Sequence, residues 1–496
     1  METFDLIVIG GGAAGLVTAS GAVQLGAKVA LIERDRLGGE CLWTGCVPSK
    51  ALIDAGKTKH RIDKARNEGF EIGKVQVDFS RVMDHVHETI MSIQPHDDPE
   101  RFRKMGIRVI KGSARFTGHN RLEVNGETLI GNRFCIATGG SALVPPIEGI
   151  QDVPFLTHET FFDIRKQPEH LIIIGAGPIG CELGQAMSRL GSKVSLIETL
   201  DCVLHNDDKE LACMLHQILL EEGVDIHVGT RVIKSEKNGD KILLTCQQGG
   251  KDLKVEGDAL LLATGKRPRT SGMGLEAAGV AVDRGGIRID EALQTTNPRI
   301  YACGDVAGPH LFTHMAEYQA GLVISNALVP LLNRKTNYSV MPWGTYTDPE
   351  LAHVGLSEKT AREKFGDEGV AVYRYEVKGN DRHIIEGQIL GMVKLITRPN
   401  GKILGCDMLG ASAGELIHEY ALAIKKGLSV GSISGLIHAY PTLIQANKRV
   451  SDGYFSEKFF KGKIPKIIGW WLEKTRPKSP NDSAGNEAGD LLIDKG

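Results

Sequence analysis

Cys41 and Cys46 stand five positions apart in GGECLWTGCVPSK, residues 38–50, with Pro48 and Lys50 directly behind them. Two cysteines this close can be joined with little loop-closure cost. By spacing alone the pair is equally a redox disulfide or two unrelated core thiols. A metal site is not expected, because no second Cys/His pair stands at ligand spacing. Upstream lies Gly10-Gly11-Gly12-Ala13-Ala14-Gly15, at the end of the apolar run Leu6–Ile9. Strand, glycine turn and helix in that order form a dinucleotide-binding arrangement. A cysteine pair one connection past such a turn points to electrons passing between a cofactor and sulfur.

The elements that must position this chemistry are legible on both sides of it. Residues 4–33 read as one βαβ unit: strand Phe4–Ile9, a small-residue helix Ala13–Leu25, and strand Lys28–Ile32 closed by Glu33. Gly10, Gly12, Ala14 and Gly15 let the backbone approach a pyrophosphate at the helix N-terminus, and Glu33 stands where a carboxylate accepts from the adenosine ribose. The unit then recurs. His170–Ile174 is the strand, Gly175-Ala176-Gly177-Pro178-Ile179-Gly180 the turn, and Lys193–Ile197 the second strand, ending at Glu198. One loop suits FAD and the other a nicotinamide cofactor. A carboxylate at Glu198 accepts from a free 2′-hydroxyl and repels a 2′-phosphate, and the third glycine, Gly180, points the same way, so NADH is expected over NADPH. Two Ala-Thr-Gly segments follow the loops, one holding Thr138 and Gly139, the other ending at Gly265. A strand-like stretch from Thr296 then ends in Gly304-Asp305.

Taken whole, residues 38–50 closely resemble the active-site segment of the class I pyridine nucleotide-disulfide oxidoreductases, the family of dihydrolipoamide dehydrogenase, glutathione reductase and mercuric reductase. The usual pattern there is GG-x-C-x4-C-x-P-[ST]-K, and only Trp43 and Thr44 inside the loop depart from the commoner choices. The resemblance spans roughly residues 4–455 and includes both glycine loops, the Gly304-Asp305 segment and the stretch Trp343–Glu358, which resembles the start of the family's dimerisation domain. It implies an α/β protein with two Rossmann-like dinucleotide-binding domains, the NAD domain inserted into the FAD domain, and a C-terminal α+β dimerisation domain. The expected division is 1–150 and 271–335 for the FAD domain, 151–270 for the NAD domain, 336–455 for dimerisation and 456–496 for an extension and tail. It further implies that Cys46 contacts the flavin as a thiolate while Cys41 exchanges with substrate. Lys50 and Glu182 match an ion pair beside the flavin ring, and Asp305 matches the acceptor for the ribityl chain. Cys303 reads as a small core residue. Electrons would pass from NADH through flavin to the disulfide, and a homodimer would complete each site with a segment of the partner subunit.

The substrate end departs from the commoner pattern. Where many family members carry His-Pro-Thr-x-x-Glu, this chain reads Tyr440-Pro441-Thr442-Leu443-Ile444-Gln445. A phenol near pKa ~10 is a poor base at neutral pH, where an imidazole near ~6.5 is suited to proton transfer. His438 stands two positions earlier, on the opposite face of an extended chain. Tyrosine at position 440 resembles mercuric reductase. Yet no cysteine follows Cys406 and no CxxC module precedes the first strand, so a fully equipped mercuric reductase is not expected. The acceptor classes left open are a small dithiol or disulfide, a thiol-bound metal ion, and a quinone or partner protein. An intact cysteine pair, Lys50 and both cofactor loops argue against a purely structural role.

Composition sets the outer limits. Hydrophobic content of 42% and charge of 24% are those of a globular protein, and a net charge of −2 gives no reason to expect nucleic acid. The N-terminus enters a strand directly and no apolar run reaches the ~18–20 residues that span a bilayer, so a cytoplasmic protein is expected. Residues 456–478 interleave lysines with Phe459, Phe460, Ile467, Ile468, Trp470, Trp471 and Leu472. They read either as packing within the dimer or as a basic aromatic surface resting on anionic lipid at the inner membrane face. Pro465 limits the segment to short helical pieces. Residues 479–496 read as a polar, disordered tail.

Overall fold

The computed structural model describes residues 1–460 and 464–477. Lys461, Lys463 and Lys478, and the tail 479–496 expected to be disordered, lie outside the described residues. The first sheet is built from β1 (Glu2–Ile9), β2 (Val29–Glu33), β3 (Arg108–Lys111), β4 (Arg115–Gly118), β5 (Arg121–Val124) and β6 (Glu127–Ile136), in the order β3-β2-β1-β6-β5-β4. Leu6, Ile7 and Val8 of β1 are fully buried because both faces of the sheet are covered, which is why the strand is a continuous apolar run rather than an alternating one. The helix α1 (Ala13–Gln24) buries Ala14, Ala19 and Ala22, whose small side chains let it lie close to its neighbours. At Gly21 a Cβ would stand 2.4 Å from Ile324 Cδ1 of the helix Thr313–Leu328, so those two helices meet at a glycine.

The chain leaves this sheet after β6 and returns to it only at the strand Ile300–Ala302, which pairs with β6 in parallel (Ile300 with Phe134, Ala302 with Ile136). Between them stands a second Rossmann-like unit. Its parallel strands run in the order Val224–His227, Lys193–Ile197, His170–Ile174, Ala259–Leu262, beside a three-stranded antiparallel sheet over residues 230–257. The third unit is a five-stranded antiparallel sheet in the order Pro342–Thr345, Glu350–Gly355, Ile403–Gly410, Met392–Thr397, Ala371–Glu376. Buried Tyr420, Val450 and Tyr454 bring helices onto it. The fold class is therefore the expected one: two Rossmann-like units, one inserted into the other, and a C-terminal α+β unit.

The helix Thr313–Leu328 begins behind an extended Phe312. Residues 413–426 form two helical pieces, Ala413–Leu416 and His418–Lys426. Pro465 lies in the first turn of the helix Ile464–Thr475, where a missing N–H breaks no intrahelical bond.

Candidate active site

The helix α2 (Gly39–Trp43) and the helix α3 (Cys46–Ala65) carry the cysteine stretch between the two Rossmann-like units. The helix α3 packs on the helix Pro178–Leu190 with Gly56 at the crossing, where a Cβ would meet Ala186 Cα at 3.2 Å. That contact joins the cysteines to the second glycine loop. Both loops, both cysteines, Lys50 and Glu182 line one cleft of about 2020 Å³. Ala14, Glu33, Thr138, Gly139, Ile179, Glu198, Gly265, Gly304 and Asp305 line it too. Gly15 and Gly180 do not reach the cleft. They sit behind the turns, where a Cβ would lie 1.8 Å from Gly10 O and 2.0 Å from Gly175 O, so each serves the close packing of turn on helix.

The cleft fits two dinucleotides. Gly12 and Gly177 cap their helices without any side-chain capping bond, leaving the first backbone N–H groups of each helix available to a phosphate. No atom stands within 4 Å of a Cβ built at Gly177, and at Gly12 only Gly39 Cα does, at 3.7 Å. Glu33 accepts from Gly11 N at 2.6 Å and Asp35 N at 2.8 Å. Glu198 accepts from Ala176 N at 2.8 Å and Leu200 N at 2.9 Å. Both carboxylates are thus held rigidly at a loop with lone pairs to spare for a ribose. Arg189 is committed elsewhere, to Glu222 at 2.7 Å and Asp348 at 2.8 Å.

At the cysteines both sulfurs are free thiols, with Cys46 open to the cleft. Cys46 Sγ lies 3.3 Å from Thr313 Oγ1, at the start of the helix Thr313–Leu328. The hydrogen bond from the Cys41 thiol, then the Thr313 hydroxyl and the charges of Lys50 and Lys266, pull the Cys46 thiol down to about 6 against the opposing effect of burial. The hydrogen bond with Cys46 and burial push the Cys41 thiol up. One sulfur is therefore the thiolate and the other keeps the proton. Lys50 Nζ donates to Glu182 Oε2 at 2.9 Å, and Glu182 Oε1 accepts from Tyr346 N at 2.8 Å. The Tyr346 ring lies 4.6 Å from the same ammonium.

A second charged group lies beside them. Lys266 is paired with Glu40 and, at 3.4 Å, with Asp305. Burial raises the Glu40 carboxyl, but the His158 ring 3.5 Å away and the Lys266 charge outweigh it and bring it to about 2. Burial raises Asp305, with Lys266 opposing. Thr313, Tyr346, Glu40, His158 and Lys266 were not anticipated. Glu40 stands inside the cysteine motif and Lys266 directly after Gly265, but their pairing, and the approach of His158, Thr313 and Tyr346 to the cleft, depends on segments far apart in sequence. Cys303 is fully buried, its sulfur 3.4 Å from that of Cys135.

Tyr440 does not join the cleft of its own chain. It stands 68% exposed on the C-terminal unit, and its hydroxyl donates to Asp381 Oδ2 at 2.8 Å. That bond and the Asp381 charge push the phenol above its ordinary value. His438 points the other way. Its side chain is 3% exposed, with Nε2 3.1 Å from Glu419 Oε1 and Nδ1 3.1 Å from Leu436 O.

Comparison with known proteins bears on this arrangement. The family described as "Pyridine nucleotide-disulphide oxidoreductase" matches residues 4–321, and its dimerisation domain matches residues 341–450. The chain is 36% identical to a mercuric reductase of Bacillus cereus over 90% of this chain and 70% of that protein. It is also 36% identical to a dihydrolipoyl dehydrogenase of Thermus scotoductus, over 89% of this chain and 95% of that one. Among solved structures, the Cu(II) complex of the HOCl-induced flavoprotein disulfide reductase RclA from Escherichia coli superposes with a TM-score of 0.80 at 28% identity, covering 90% of this chain and 98% of that one.

Proposed function

The chain belongs to the pyridine nucleotide-disulphide oxidoreductase family, and on that premise we propose that it carries electrons from NADH through the Cys41–Cys46 pair to a thiol-bound metal ion. The family is FAD-dependent, uses pyridine nucleotides and pairs its subunits through the dimerisation domain. FAD, when bound, supplies the ring that accepts hydride from the nicotinamide and passes two electrons to sulfur. The chain's own residues do the rest. The two glycine loops hold the pyrophosphates, and Glu33, Glu198 and Asp305 accept from sugar and ribityl hydroxyls. Lys50, held by Glu182, places a positive charge where negative charge collects on reduction. With FAD bound, Cys46 would present its thiolate to the flavin, and Cys41 would keep the proton and exchange with the acceptor.

The observation that carries the metal reading is the pairing of Tyr440 with Asp381 at the position where many family members carry histidine. A lipoyl dithiol must give up a proton to a base near neutral pH. A phenol whose pKa is raised by a neighbouring carboxylate is a hydrogen-bond donor instead, and His438 is taken by Glu419. A metal ion already held as a thiolate complex needs no such base. The subunit partner brings its Tyr440 to the cleft in this reading. The likeness to mercuric reductases and to a Cu(II)-binding relative supports it.

Acceptor-dependent NADH oxidation tests it. The FAD-loaded dimer is expected to turn over thiol-complexed Hg(II) or Cu(II) faster than lipoamide, and Tyr440→Phe is expected to slow the metal reaction about 10-fold. Lipoamide as the better acceptor would overturn the reading. Failure of all these acceptors would leave a quinone or a partner protein as the electron sink.

Nucleotide choice follows from Glu198. Wild type is expected to prefer NADH, and Glu198→Arg to shift the kcat/KM ratio toward NADPH by about 10²-fold, because a like-charge contact becomes an opposite-charge one. A wild-type protein that already prefers NADPH would remove the basis for this assignment.

A further inference from the structure

The helix Ile464–Thr475 buries none of its residues. Ile464, Ile467, Ile468, Trp471 and Leu472 recur at i, i+3, i+4, i+7 and i+8, so they share one face. That face is open: Ile467 is 63% and Trp471 57% exposed. Lys466, Trp470 and Lys474 line one flank of it, and the Lys474 ammonium lies 4.3 Å from the Trp470 ring. Residues 456–478 contain seven basic and two acidic side chains, in a chain whose net charge is −2. The preceding helix Gln445–Phe460 is tied to the C-terminal sheet by buried Val450 and Tyr454.

We propose that this helix docks the enzyme on the surface of an anionic lipid bilayer, apolar face down, independently of which acceptor it reduces. Twelve residues give a helix of about 18 Å, short of the ~30 Å hydrocarbon core, so it lies in the interface rather than crossing it. Among the described residues no helix is long and apolar enough to cross. Lipid fits the flank as well as the face. An indole with a lysine over it belongs at headgroup depth, where the ring meets acyl chains and the ammonium reaches phosphate. A second copy fits badly. A twofold contact sets the same patch against itself, bringing the lysine and arginine side chains of this segment face to face.

Vesicle co-sedimentation of the full-length, FAD-loaded protein decides this. Wild type is expected to pellet with phosphatidylcholine vesicles containing phosphatidylglycerol, not with phosphatidylcholine alone, and to be released by salt. Lys466→Glu with Lys474→Glu is expected to weaken binding by ~10-fold or more. Ile468→Glu with Trp471→Glu is expected to abolish it, and both variants should keep flavin absorbance and NADH oxidation, which establishes that they fold. Absence of binding by wild type to either vesicle, or equal binding by the apolar-face variant, overturns the proposal. So does conversion of the lipid-free dimer to monomer by that variant in sedimentation velocity, which would make the face a subunit contact.

Discussion

Cys46→Ser is expected to leave NADH-dependent flavin reduction intact and to lower turnover of every metal or disulfide acceptor by ~10³-fold or more. The two half-reactions separate because Gly175 and Glu198 belong to the nucleotide loop, whereas Cys46 is the sulfur drawn toward the thiolate. Its thiol is drawn down to about 6, first by the Cys41 hydrogen bond and then by Thr313, Lys50 and Lys266. The sign follows directly. A depressed thiol pKa keeps the thiolate above about pH 6 and loses it as the pH falls through that value. Acceptor turnover of the wild type should therefore decline below that pH, and the ultraviolet thiolate absorbance of the dithiol protein should titrate with it. Stopped-flow reduction by NADH, followed by steady-state assay of the same sample, checks the mutant. Acceptor turnover that survives Cys46→Ser would mean electrons leave without passing through this sulfur.

Lys50→Met is expected to have the complementary effect, slowing flavin reduction by NADH about 10²-fold with both cysteines in place. Lys50 is the cation that Glu182 holds at 2.9 Å beside the cleft, and Glu182 is itself fixed by Tyr346 N. The Glu182 side chain is only 5% exposed, so removing Lys50 strands a nearly buried carboxylate with a single remaining donor. Two readouts follow. The rate of hydride arrival should fall, and the flavin reduction potential should become more negative, because reduced flavin loses a stabilising positive charge. Lys50→Arg, which keeps the charge, should recover much of the potential. A potential unchanged in Lys50→Met would reduce the pair to a packing role.

Much of the molecule could be read before any coordinates. The glycine loops are legible because a pyrophosphate seated on a helix N-terminus demands glycine at fixed offsets from a strand, and such local constraints are written in consecutive residues. Gly15 and Gly180 show how strict they are, since a Cβ at either would lie within about 2 Å of a carbonyl oxygen. The insertion of one unit into the other was legible too, from the order of the two loops and the late Gly304-Asp305. The placement of Cys303 in the core is of the same kind: it directly follows the strand Ile300–Ala302, and its N–H donates to Ile136 O of β6.

What escaped the sequence is what needs distant segments to meet. Thr313 lies 267 positions from Cys46 and Tyr346 lies 164 from Glu182, yet both bond to the redox groups. The unequal acidity of Cys41 and Cys46 has the same origin. The family resemblance already implies Cys46 as the thiolate, but the physical cause, the Cys41 hydrogen bond first and then Thr313, Lys50 and Lys266, exists only in the folded arrangement. Asp381 as the partner of Tyr440, and Glu419 as the partner of His438, come from helices whose approach no spacing announces. Residue types and short spacings thus determine the cofactor loops, the cysteine pair and the fold class, because those depend on backbone geometry over a few consecutive positions. Protonation states and the polarity of the substrate end depend on long-range packing and local dielectric, and these the tertiary structure alone decides.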